Sequence, residues 1–312
     1  MSEPQIGVLL MAYGGPESLA DLPGYLADIR SGRTTPRSVL EEISKNYEAI
    51  GGQSPLLAMT RKQKAAIEDC LDPGQFRLYL GMRHWAPWIE ETVGQMIEDC
   101  VTRAVSIVLA PHFSGLSVAK YQRKISDGLE FYRGNIEFAH VDSYYDDPGL
   151  IDAFARRVKD GLAKWSERER ADVHVVFSAH SLPARIATLN DPYDFQTRET
   201  ARLVAERVGL AASAWSWSYQ SAGRSPEPWL GPTLQEHLTS LATRGIRNVV
   251  IVPVGFVSDH VEILFDIDID AQRIASTLDM RLERPAALND DPVFTSALAR
   301  VIVDRAALAG WA

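Results

Sequence analysis

Three carboxylates follow a histidine at four-residue intervals near the C-terminus. They are Glu262, Asp266 and Asp270, and His260 comes just before them. If this segment is helical, each four-residue step turns the chain by about 400° and climbs roughly 6 Å, so the three side chains share one face. Carboxylate oxygens bind divalent cations and release them readily, so such a face could pass an ion toward a buried site. The alternative is a solvated acidic face.

Tyrosine and histidine side chains stand at the ends of several apolar runs. Tyr13 ends the run that begins at Ile6, and His180 ends a similar run in the second half of the chain. In open parallel sheets, ligands bind beyond the carboxyl ends of the strands. The pattern therefore predicts that Tyr13, His84, His180 and Glu262 converge on one cleft. The alternatives are that Tyr13 caps a core strand and that His180 is a hydrogen-bonded structural histidine.

Other histidines and the glycines carry weaker signals. Aromatic residues follow both His84 and His112, which favours packing or supporting positions for these two side chains. Because His260 lies two residues from Glu262, it would point to a different face of a helix and support the site rather than bind the ion. The glycines do not show the spacing of phosphate-binding loops, so nucleotide dependence is not supported.

Short apolar runs alternate with segments of helical period, which predicts an α/β fold with parallel sheets covered by helices. The strand predictions are 6–13, 76–82, 105–110, 136–141, 173–179, 214–219 and 249–254. The helix predictions are 21–29, 36–50, 60–70, 89–102, 148–167, 193–208, 233–243 and 293–309. A weak duplication, in which GVLLMAYGGP at 7–16 is echoed by HVVFSAHSLP at 174–183, indicates two halves of similar topology.

A long insertion separates the first two predicted strands. It contains Arg30, Arg33 and Arg37, followed by Tyr47 and a pair of glycines at 51–52. Arginines beside aromatic residues suit a lid that closes over a flat apolar ligand and meets its carboxylates at the rim. The alternative is a surface excursion whose arginines are solvated.

Composition excludes several classes of partner. The 312 residues carry a net charge of −9, whereas binding to nucleic acid or to an anionic membrane needs a basic surface. The N-terminus has no basic leader, and no apolar run approaches the roughly 20 residues that span a bilayer. We therefore expect a cytoplasmic protein without an integral membrane segment. The two cysteines, Cys70 and Cys100, are too few for a disulfide framework, a zinc ribbon or a four-cysteine cluster.

Seven segments together resemble those of the ferrochelatases, and most closely the coproporphyrin III ferrochelatases of Gram-positive-type bacteria. These segments are LMAYGGP at 10–16, YEAIGGQSPL at 47–56, SIVLAPHFS at 106–114, FSAHSLP at 177–183, DPY at 191–193, PWLGP at 228–232 and VPVGFVSDHVE at 252–262. The resemblance implies the chelatase fold, in which two flavodoxin-like (Rossmann-type) halves enclose the active-site cleft. The implied domains are an N-terminal half at 1–147 with a lid insertion near 30–58, a C-terminal half at 148–285 with the metal site, and a C-terminal helix at 286–312 that packs on the first half.

The resemblance also implies the site residues. The family's metal-site histidine falls on His180 and its partner carboxylate on Glu262, with Asp266 and Asp270 as outer positions of the acidic path. Tyr13 falls on the opposite face of the macrocycle, where it is the axial ligand of the product iron. The contacts with the rim and the propionates fall on Arg30, Asn46, Ser54 and Tyr121, with Tyr47 on the lid. Asn46 stands where arginine is common in similar sequences, so that contact is weaker or comes from Arg33 or another cation.

The implied activity is that of a lyase that inserts ferrous iron into coproporphyrin III during haem biosynthesis, without ATP. The resemblance implies a monomer that binds porphyrin and Fe²⁺, uses no other cofactor, lacks an iron–sulfur cluster and meets the next haem-pathway enzyme transiently. As a hypothesis, neutral His180 and ionised Glu262 receive Fe²⁺ or take up the pyrrole protons. Asp266 and Asp270 then feed iron in or carry protons out.

Other functions stay open at this stage. The chain could be a protoporphyrin IX ferrochelatase, because the propionates of the substrate cannot be counted from arginines. A chelatase that loads cobalt or nickel into a tetrapyrrole would use the same combination of histidine and carboxylate. A non-enzymatic haem carrier would bind haem through Tyr13 or His180 but would not need Glu262 or the acidic residues beyond it.

Overall fold

A computed structural model describes residues 5–223 and 225–311. The chain forms two compact units. The first contains the chain up to Tyr144 together with the segment that begins at Asn289, and the second is Tyr145–Leu288. The boundaries expected from the sequence, at 147 and 285, lie close to these divisions.

The strands and helices alternate along the chain. The strands are β1 (Ile6–Ala12), β2 (Phe76–Met82), β3 (Arg103–Val108), β4 (Glu137–Val141), β5 (Val173–His180), β6 (Trp215–Gln220), β7 (Asn248–Val252) and β8 (Arg281–Glu283). The helices are α1 (Leu22–Ile29), α2 (Arg37–Ala49), α3 (Leu56–Glu68), α4 (Ile89–Glu98), α5 (Val118–Tyr132), α6 (Pro148–Leu162), α7 (Glu167–Arg170), α8 (Tyr193–Val208), α9 (Leu234–Thr243), α10 (Val261–Leu264), α11 (Gln272–Thr277) and α12 (Pro292–Leu308). Within the described ranges, none of these helices is long and apolar enough to cross a membrane.

Each unit is built on a four-stranded parallel sheet. The strand order is β2-β1-β3-β4 in the first unit and β6-β5-β7-β8 in the second. The two orders are equivalent, which confirms the two similar halves that the duplication predicted. All seven residues of β1 are buried, because helices cover both faces of the sheet, and this explains why the strand is a continuous apolar run.

The C-terminal helix α12 belongs to the first unit. Its side chains Phe294, Leu298 and Ile302 are fully buried. The amide of Gln63 on α3 also donates a hydrogen bond to the carbonyl of Asn289, just before α12, at 3.0 Å. The end of the chain therefore completes the core of the half in which the chain begins.

Helices α5 and α11 and strand β8 have no counterpart in the sequence predictions, and two of these absences have a physical reason. The first is α5, in which Gly128 weakens the helical signal. A Cβ at Gly128 would lie 3.1 Å from the Cα of Glu90 on α4, so close packing of the two helices requires the glycine. The second is β8, which has three residues and is too short to show a strand pattern.

Helix α6 begins at a proline that an aspartate caps. The Asp147 carboxylate accepts hydrogen bonds from the backbone N–H groups of Gly149 and Leu150, at 2.8 and 3.1 Å. We expect Asp147→Ala to lower the free energy of unfolding by about 1 kcal/mol, because these N–H groups lose their acceptor. Urea denaturation would measure the loss. Asp146→Ala is the matched control, since it removes the neighbouring charge and spares the cap; equal losses in the two variants would contradict the prediction.

Candidate active site

The end of β5 and the start of α10 bring His180 and Glu262 together. Nδ1 of His180 lies 2.8 Å from Oε2 of Glu262. Two buried side chains hold the backbone of this pair. The Tyr193 hydroxyl donates to the His180 carbonyl at 2.9 Å, and the Gln220 amide donates to the Glu262 carbonyl at 3.1 Å. Ser178 donates in turn to the side-chain oxygen of Gln220 at 2.6 Å, so the pair is fixed by hydrogen bonds within the second unit.

His180 and Glu262 form an ion pair. Burial alone would lower the pKa of His180, but the charge and hydrogen bond of Glu262 outweigh burial and raise this pKa above its ordinary value. Burial alone would raise the pKa of Glu262, yet the His180 imidazolium lowers it to about 2. Both shifts favour the charged forms of the two groups, and the neutral His180 of the hypothesis stays a prediction.

Asp266 adds a third titrating group. The hydroxyl of Ser221 donates a hydrogen bond to the Asp266 carboxylate. Burial and the negative charge of Glu262 raise the pKa of Asp266 to about 7. A carboxyl group with this pKa exchanges its proton near neutral pH, which suits a position on a proton path.

The acidic segment does not form one regular α-helix. The short helix α10 is followed by a π-helical turn at Asp266–Ala271, in which the N–H of Asp270 donates to the carbonyl of Phe265, five residues back, at 2.9 Å. The sequence predicted one α-helix through Glu262, Asp266 and Asp270. This is wrong from Asp266 to Asp270, where the backbone is π-helical. Asp270 also contributes to the raised pKa of Asp266, so the acidic groups still act on one another. π-Helical turns occur frequently at functional sites.

The donors of this segment suit transient contact with a metal ion. Within the described ranges, no group of at least three histidine, cysteine or acidic side chains is arranged to hold a metal ion. The imidazole of His180 and the carboxylates of Glu262 and Asp266 are still ligand types that Fe²⁺ accepts. Because iron is a substrate of the expected reaction, weak and sequential contacts fit transfer better than a closed cage.

Aromatic side chains and His260 surround the pair. The rings of Trp229 and Phe256 each lie 6.4 Å from the His180 ring, between centroids. His260 precedes α10, and its Nδ1 lies 3.0 Å from the Ser258 carbonyl. Burial lowers the pKa of His260, which favours the neutral imidazole. These contacts give His260 a supporting position beside the ion pair.

In the first unit, Tyr13 is an exposed tyrosine just beyond the end of β1. Its side chain is 40% exposed, and the centroid of its ring lies 4.6 Å from that of His84. Nδ1 of His84 lies 2.6 Å from Oδ2 of Asp28, and burial lowers the pKa of His84 to about 4. The guanidinium of Arg83 lies 5.8 Å from the centre of the Tyr13 ring. The neutral His84 ring and the Arg83 cation therefore position the accessible phenol of Tyr13.

Two residues that were predicted to contact the substrate are buried. Tyr47 on α2 and Tyr121 on α5 are each only 3% exposed. The guanidinium of Arg83 lies 5.3 Å from the centre of the Tyr121 ring, and burial raises the pKa of Tyr121. In this structure, neither ring offers a surface to a ligand, and Tyr121 packs behind Arg83.

Arg30 and Asn46 lie in the insertion. Arg30 follows α1, and its buried Nε has no hydrogen-bond partner among the residues that the structure describes. A buried donor on a cation is costly when it is unpaired, which points to an anionic acceptor from outside the chain. Arg33 donates to the Arg30 carbonyl at 3.1 Å, and Asn46 is half-buried on α2. The insertion thus contains a cationic group prepared for a carboxylate.

Ser54 is held close to the turn that follows β1. Its backbone N–H donates to the Pro16 carbonyl at 2.8 Å, and its hydroxyl accepts from the N–H of Leu56 at 3.3 Å. A Cβ at Gly15 would lie 2.4 Å from the Ser54 hydroxyl, so only glycine permits this approach. Ser54 therefore lies beside Gly15 and Pro16, just after Tyr13 in the chain.

Sequence reasoning missed several residues that support the site. Gln220 and Ser221 hold Glu262 and Asp266, yet neither was assigned a position in the site. Gln220 ends β6 and Ser221 follows it, and β6 lies beside β5 in the sheet. The rule that parallel strands present their carboxyl ends at one edge could have identified them. Arg83 gave no such signal, because its contacts with two tyrosines depend on tertiary packing.

Solved chelatase structures share this fold. SirB from Bacillus subtilis with Fe³⁺ matches with a TM-score of 0.63 and 12% identity, and the match covers 98% of each chain. CbiX, the terminal enzyme for siroheme biosynthesis in denitrifying bacteria, matches with a TM-score of 0.55 and 12% identity, covering 96% of this chain and 98% of the other. These matches confirm the predicted chelatase fold, and at such low identity they bear on the fold alone.

Sequence comparisons give the family. A ferrochelatase from Deinococcus radiodurans is 56% identical over 308 residues, which are 98% of each chain. Coproporphyrin III ferrochelatases from Geobacillus sp. and Bacillus subtilis are 40% and 39% identical over 310 residues, covering 98% of this chain and 99% of each relative. The ferrochelatase family model matches residues 5–306. The chain therefore belongs to the ferrochelatase family.

Proposed function

We propose that this ferrochelatase inserts ferrous iron into coproporphyrin III, without ATP, as a step of haem biosynthesis. The observation that carries the proposal is the half-buried His180–Glu262 pair, 2.8 Å apart, with Asp266 beyond it. This group combines a proton acceptor with carboxylates that can receive a divalent cation. The names of the relatives from Geobacillus sp. and Bacillus subtilis support the choice of coproporphyrin III.

The ionisation of the site suggests the order of proton steps. Insertion of Fe²⁺ releases both pyrrole protons, so the site needs an acceptor and a path to solvent. Glu262, with a pKa of about 2, stays ionised and stabilises the His180 imidazolium that forms. Asp266, with a pKa of about 7, can take the next proton near neutral pH. Asp270, which is 47% exposed, completes the proposed path to solvent.

The resting ion pair must be broken before the first pyrrole proton moves. We propose that His180 becomes neutral when its proton passes toward Asp266, or when Fe²⁺ approaches and raises the cost of a neighbouring cation. The freed imidazole nitrogen can then bind iron or accept a pyrrole proton. This step reconciles the ion pair with the neutral histidine that metal insertion requires.

The first unit supplies ring binding in this proposal. Tyr13 offers an accessible phenol to the macrocycle, and a phenolate can also ligate iron in the product. The unpaired Nε–H of Arg30 donates to a propionate, and Ser54 and Asn46 add polar contacts at the rim. Contacts with a rigid protein surface can also supply the few kcal/mol that bending a planar ring costs. Tyr47 and Tyr121, both buried, act by packing.

An assay with two porphyrins tests the substrate. We expect kcat/KM for iron insertion to be about tenfold higher with coproporphyrin III than with protoporphyrin IX, because a substrate with fewer propionates leaves buried cationic donors unpaired. Steady-state rates with Fe²⁺ and each porphyrin, measured side by side, give the ratio. Equal rates, or faster turnover of protoporphyrin IX, would contradict coproporphyrin III as the substrate.

The same assay separates the remaining alternatives. A cobalt or nickel chelatase would insert Co²⁺ or Ni²⁺ into another tetrapyrrole faster than Fe²⁺ into either porphyrin. A haem carrier would bind finished haem without turnover and would be indifferent to Glu262→Gln. The carboxylate of Glu262, which lies beside His180, favours the chelatase.

Further properties belong to the proposal. We propose that no cofactor is needed beyond the Fe²⁺ substrate and that no iron–sulfur cluster is present, since the chain has two cysteines and such clusters use four ligands. We also propose a cytoplasmic monomer that passes its product to the next haem-pathway enzyme by transient contact. Metal analysis and light scattering of the purified protein would test the cofactor and the monomer.

A further inference from the structure

Arg284 follows β8 and uses its whole guanidinium group on neighbouring acceptors. Nε and Nη2 donate to the two carboxylate oxygens of Asp268, each at 2.6 Å. Nη1 lies 3.1 Å from Oδ1 of Asp259 and donates to the Pro285 carbonyl at 3.0 Å. The Arg284 side chain is only 10% exposed, so water and salt screen this ion-pair group far less than a surface pair.

The two carboxylates that Arg284 joins stand at the ends of one functional segment. Asp259 precedes α10, and Asp268 lies in the π-helical turn. Glu262 and Asp266 lie between them in the sequence. Two residues advance a helix by roughly half a turn, so Asp268 faces away from Asp266. Arg284 therefore binds Asp268, whereas Ser221 donates its hydrogen bond to Asp266. Arg284 thus ties both ends of the segment that carries the carboxylates of the site.

This segment has two kinds of support. Its apolar residues Ile263, Ile267 and Ala271 are buried in the core of the second unit, and Arg284 holds its charged side chains. An arginine that is bidentate to one carboxylate and also in an ion pair with a second fixes orientation as well as distance. Without it, two partly buried carboxylates lose their counter-charge, and the segment between them loses its anchor.

We propose that Arg284 is a positioning residue for iron insertion: by joining Asp259 to Asp268, it holds Glu262 and Asp266 at the spacing that iron delivery requires. The proposal rests on the proposed function. Arg284 acts through the two aspartates and touches neither iron nor porphyrin. If Arg284 acted only through its charge, its removal would strengthen the attraction of the acidic region for Fe²⁺ and lower KM for Fe²⁺. Loss of a positioning residue would raise this KM instead.

Three variants of the full-length protein test this proposal. Arg284→Met removes the ion pairs and keeps an apolar stem, and Arg284→Lys keeps the charge without the planar fork. The control is Arg207→Met, which removes an ion pair with Asp152 in the same unit, where the arginine is 45% exposed. For each variant, KM for Fe²⁺, KM for the porphyrin, kcat and the unfolding midpoint are measured.

We expect Arg284→Met to raise KM for Fe²⁺ about fivefold and to change KM for the porphyrin by less than about twofold. Arg284→Lys should give an intermediate KM for Fe²⁺, because an ammonium group meets the two carboxylates without bidentate geometry. Arg207→Met should leave both KM values unchanged. An unchanged or lower KM for Fe²⁺ in Arg284→Met, or equal increases in both KM values, would overturn the proposal.

Two further measurements keep the test decisive. If Arg284→Met does not fold, Asp268→Asn removes the bidentate pair with almost no change in volume and should raise KM for Fe²⁺ in the same way. Failure of the proposed function is visible separately, as absence of iron insertion by the unmodified protein. In that case, titration of the porphyrin-free protein with Co²⁺ still tests whether Arg284 positions the carboxylates. Weaker Co²⁺ binding by Arg284→Met than by the unmodified protein supports positioning, and equal binding excludes it.

Discussion

Replacing His180 by alanine is expected to slow iron insertion by on the order of 1,000-fold while porphyrin binding is retained. The imidazole is the group placed to accept a pyrrole proton, and its partner cannot replace it. Without the imidazolium, burial raises the pKa of Glu262, which favours the uncharged carboxyl group over a carboxylate that could take the proton. In the proposed function, the porphyrin binds to residues of the first unit, such as Tyr13 and Arg30, which the substitution leaves intact.

Two measurements separate turnover from binding. Iron insertion is followed as formation of the metalloporphyrin, and binding is followed by the change in porphyrin fluorescence on titration with protein. His237→Gln is the matched control. His237 lies on α9 and is hydrogen-bonded to Ser216 at 2.7 Å, at the start of β6 rather than at its carboxyl end. If His180→Ala turned over within about tenfold of the unmodified protein, His180 would not be the proton acceptor or iron ligand.

The sequence was sufficient for the parallel sheets and for the pairing of His180 with Glu262. Parallel strands that are covered on both faces are mostly apolar, and β1 and β5 are read directly from such runs. His180 and Glu262 are 82 residues apart, but His180 ends β5 and Glu262 lies beyond β7 of the same sheet, so the carboxyl ends of these strands bring them together.

Other features depend on tertiary packing, which a sequence pattern does not contain. Helix α5 contains Gly128, whose low helix propensity is outweighed by close contact with α4. A four-residue spacing fits an α-helix and a π-helical turn alike, so the backbone bond from Asp270 to Phe265 could not be predicted. The pKa of His180 depends on burial and on a carboxylate distant in sequence, so a sequence pattern does not contain the direction of its shift.

Replacing Asp266 by asparagine is expected to stabilise the protein at pH 8 and to impair iron capture. Burial and the charge of Glu262 raise the pKa of Asp266 to about 7, from an ordinary value of 3.8. The folded protein therefore keeps a proton on Asp266 that the unfolded chain has lost. Stability from this group is complete below pH 3.8. It is lost as pH rises from 3.8 toward 7, because over this range the unfolded chain ionises freely while the folded protein keeps its proton.

Asparagine carries no charge at any of these pH values and avoids that cost. The free energy of unfolding of Asp266→Asn should exceed that of the unmodified protein by on the order of 2 kcal/mol at pH 8, and the difference should vanish near pH 4. Urea denaturation at several pH values measures the difference. Asp270→Asn is the control, since its side chain is 47% exposed and its ion pair with Arg273 contributes little.

The same substitution should lower kcat/KM for Fe²⁺ about 30-fold at pH 8, because an ionised Asp266 concentrates cations beside the His180–Glu262 pair. In the unmodified protein, kcat/KM for Fe²⁺ should rise with pH as Asp266 and His180 lose their protons. Because the two groups interact, the apparent pKa values of this rise describe both groups together and neither one alone. Asp266 also raises the pKa of His180, so the rise of kcat/KM that remains in Asp266→Asn should move to lower pH.

A stable variant with an unchanged pH profile would show that Asp266 is on neither the iron path nor the proton path. A gain in stability with a loss of iron capture would instead show that the chain retains a destabilising buried carboxylate because metal insertion requires its charge.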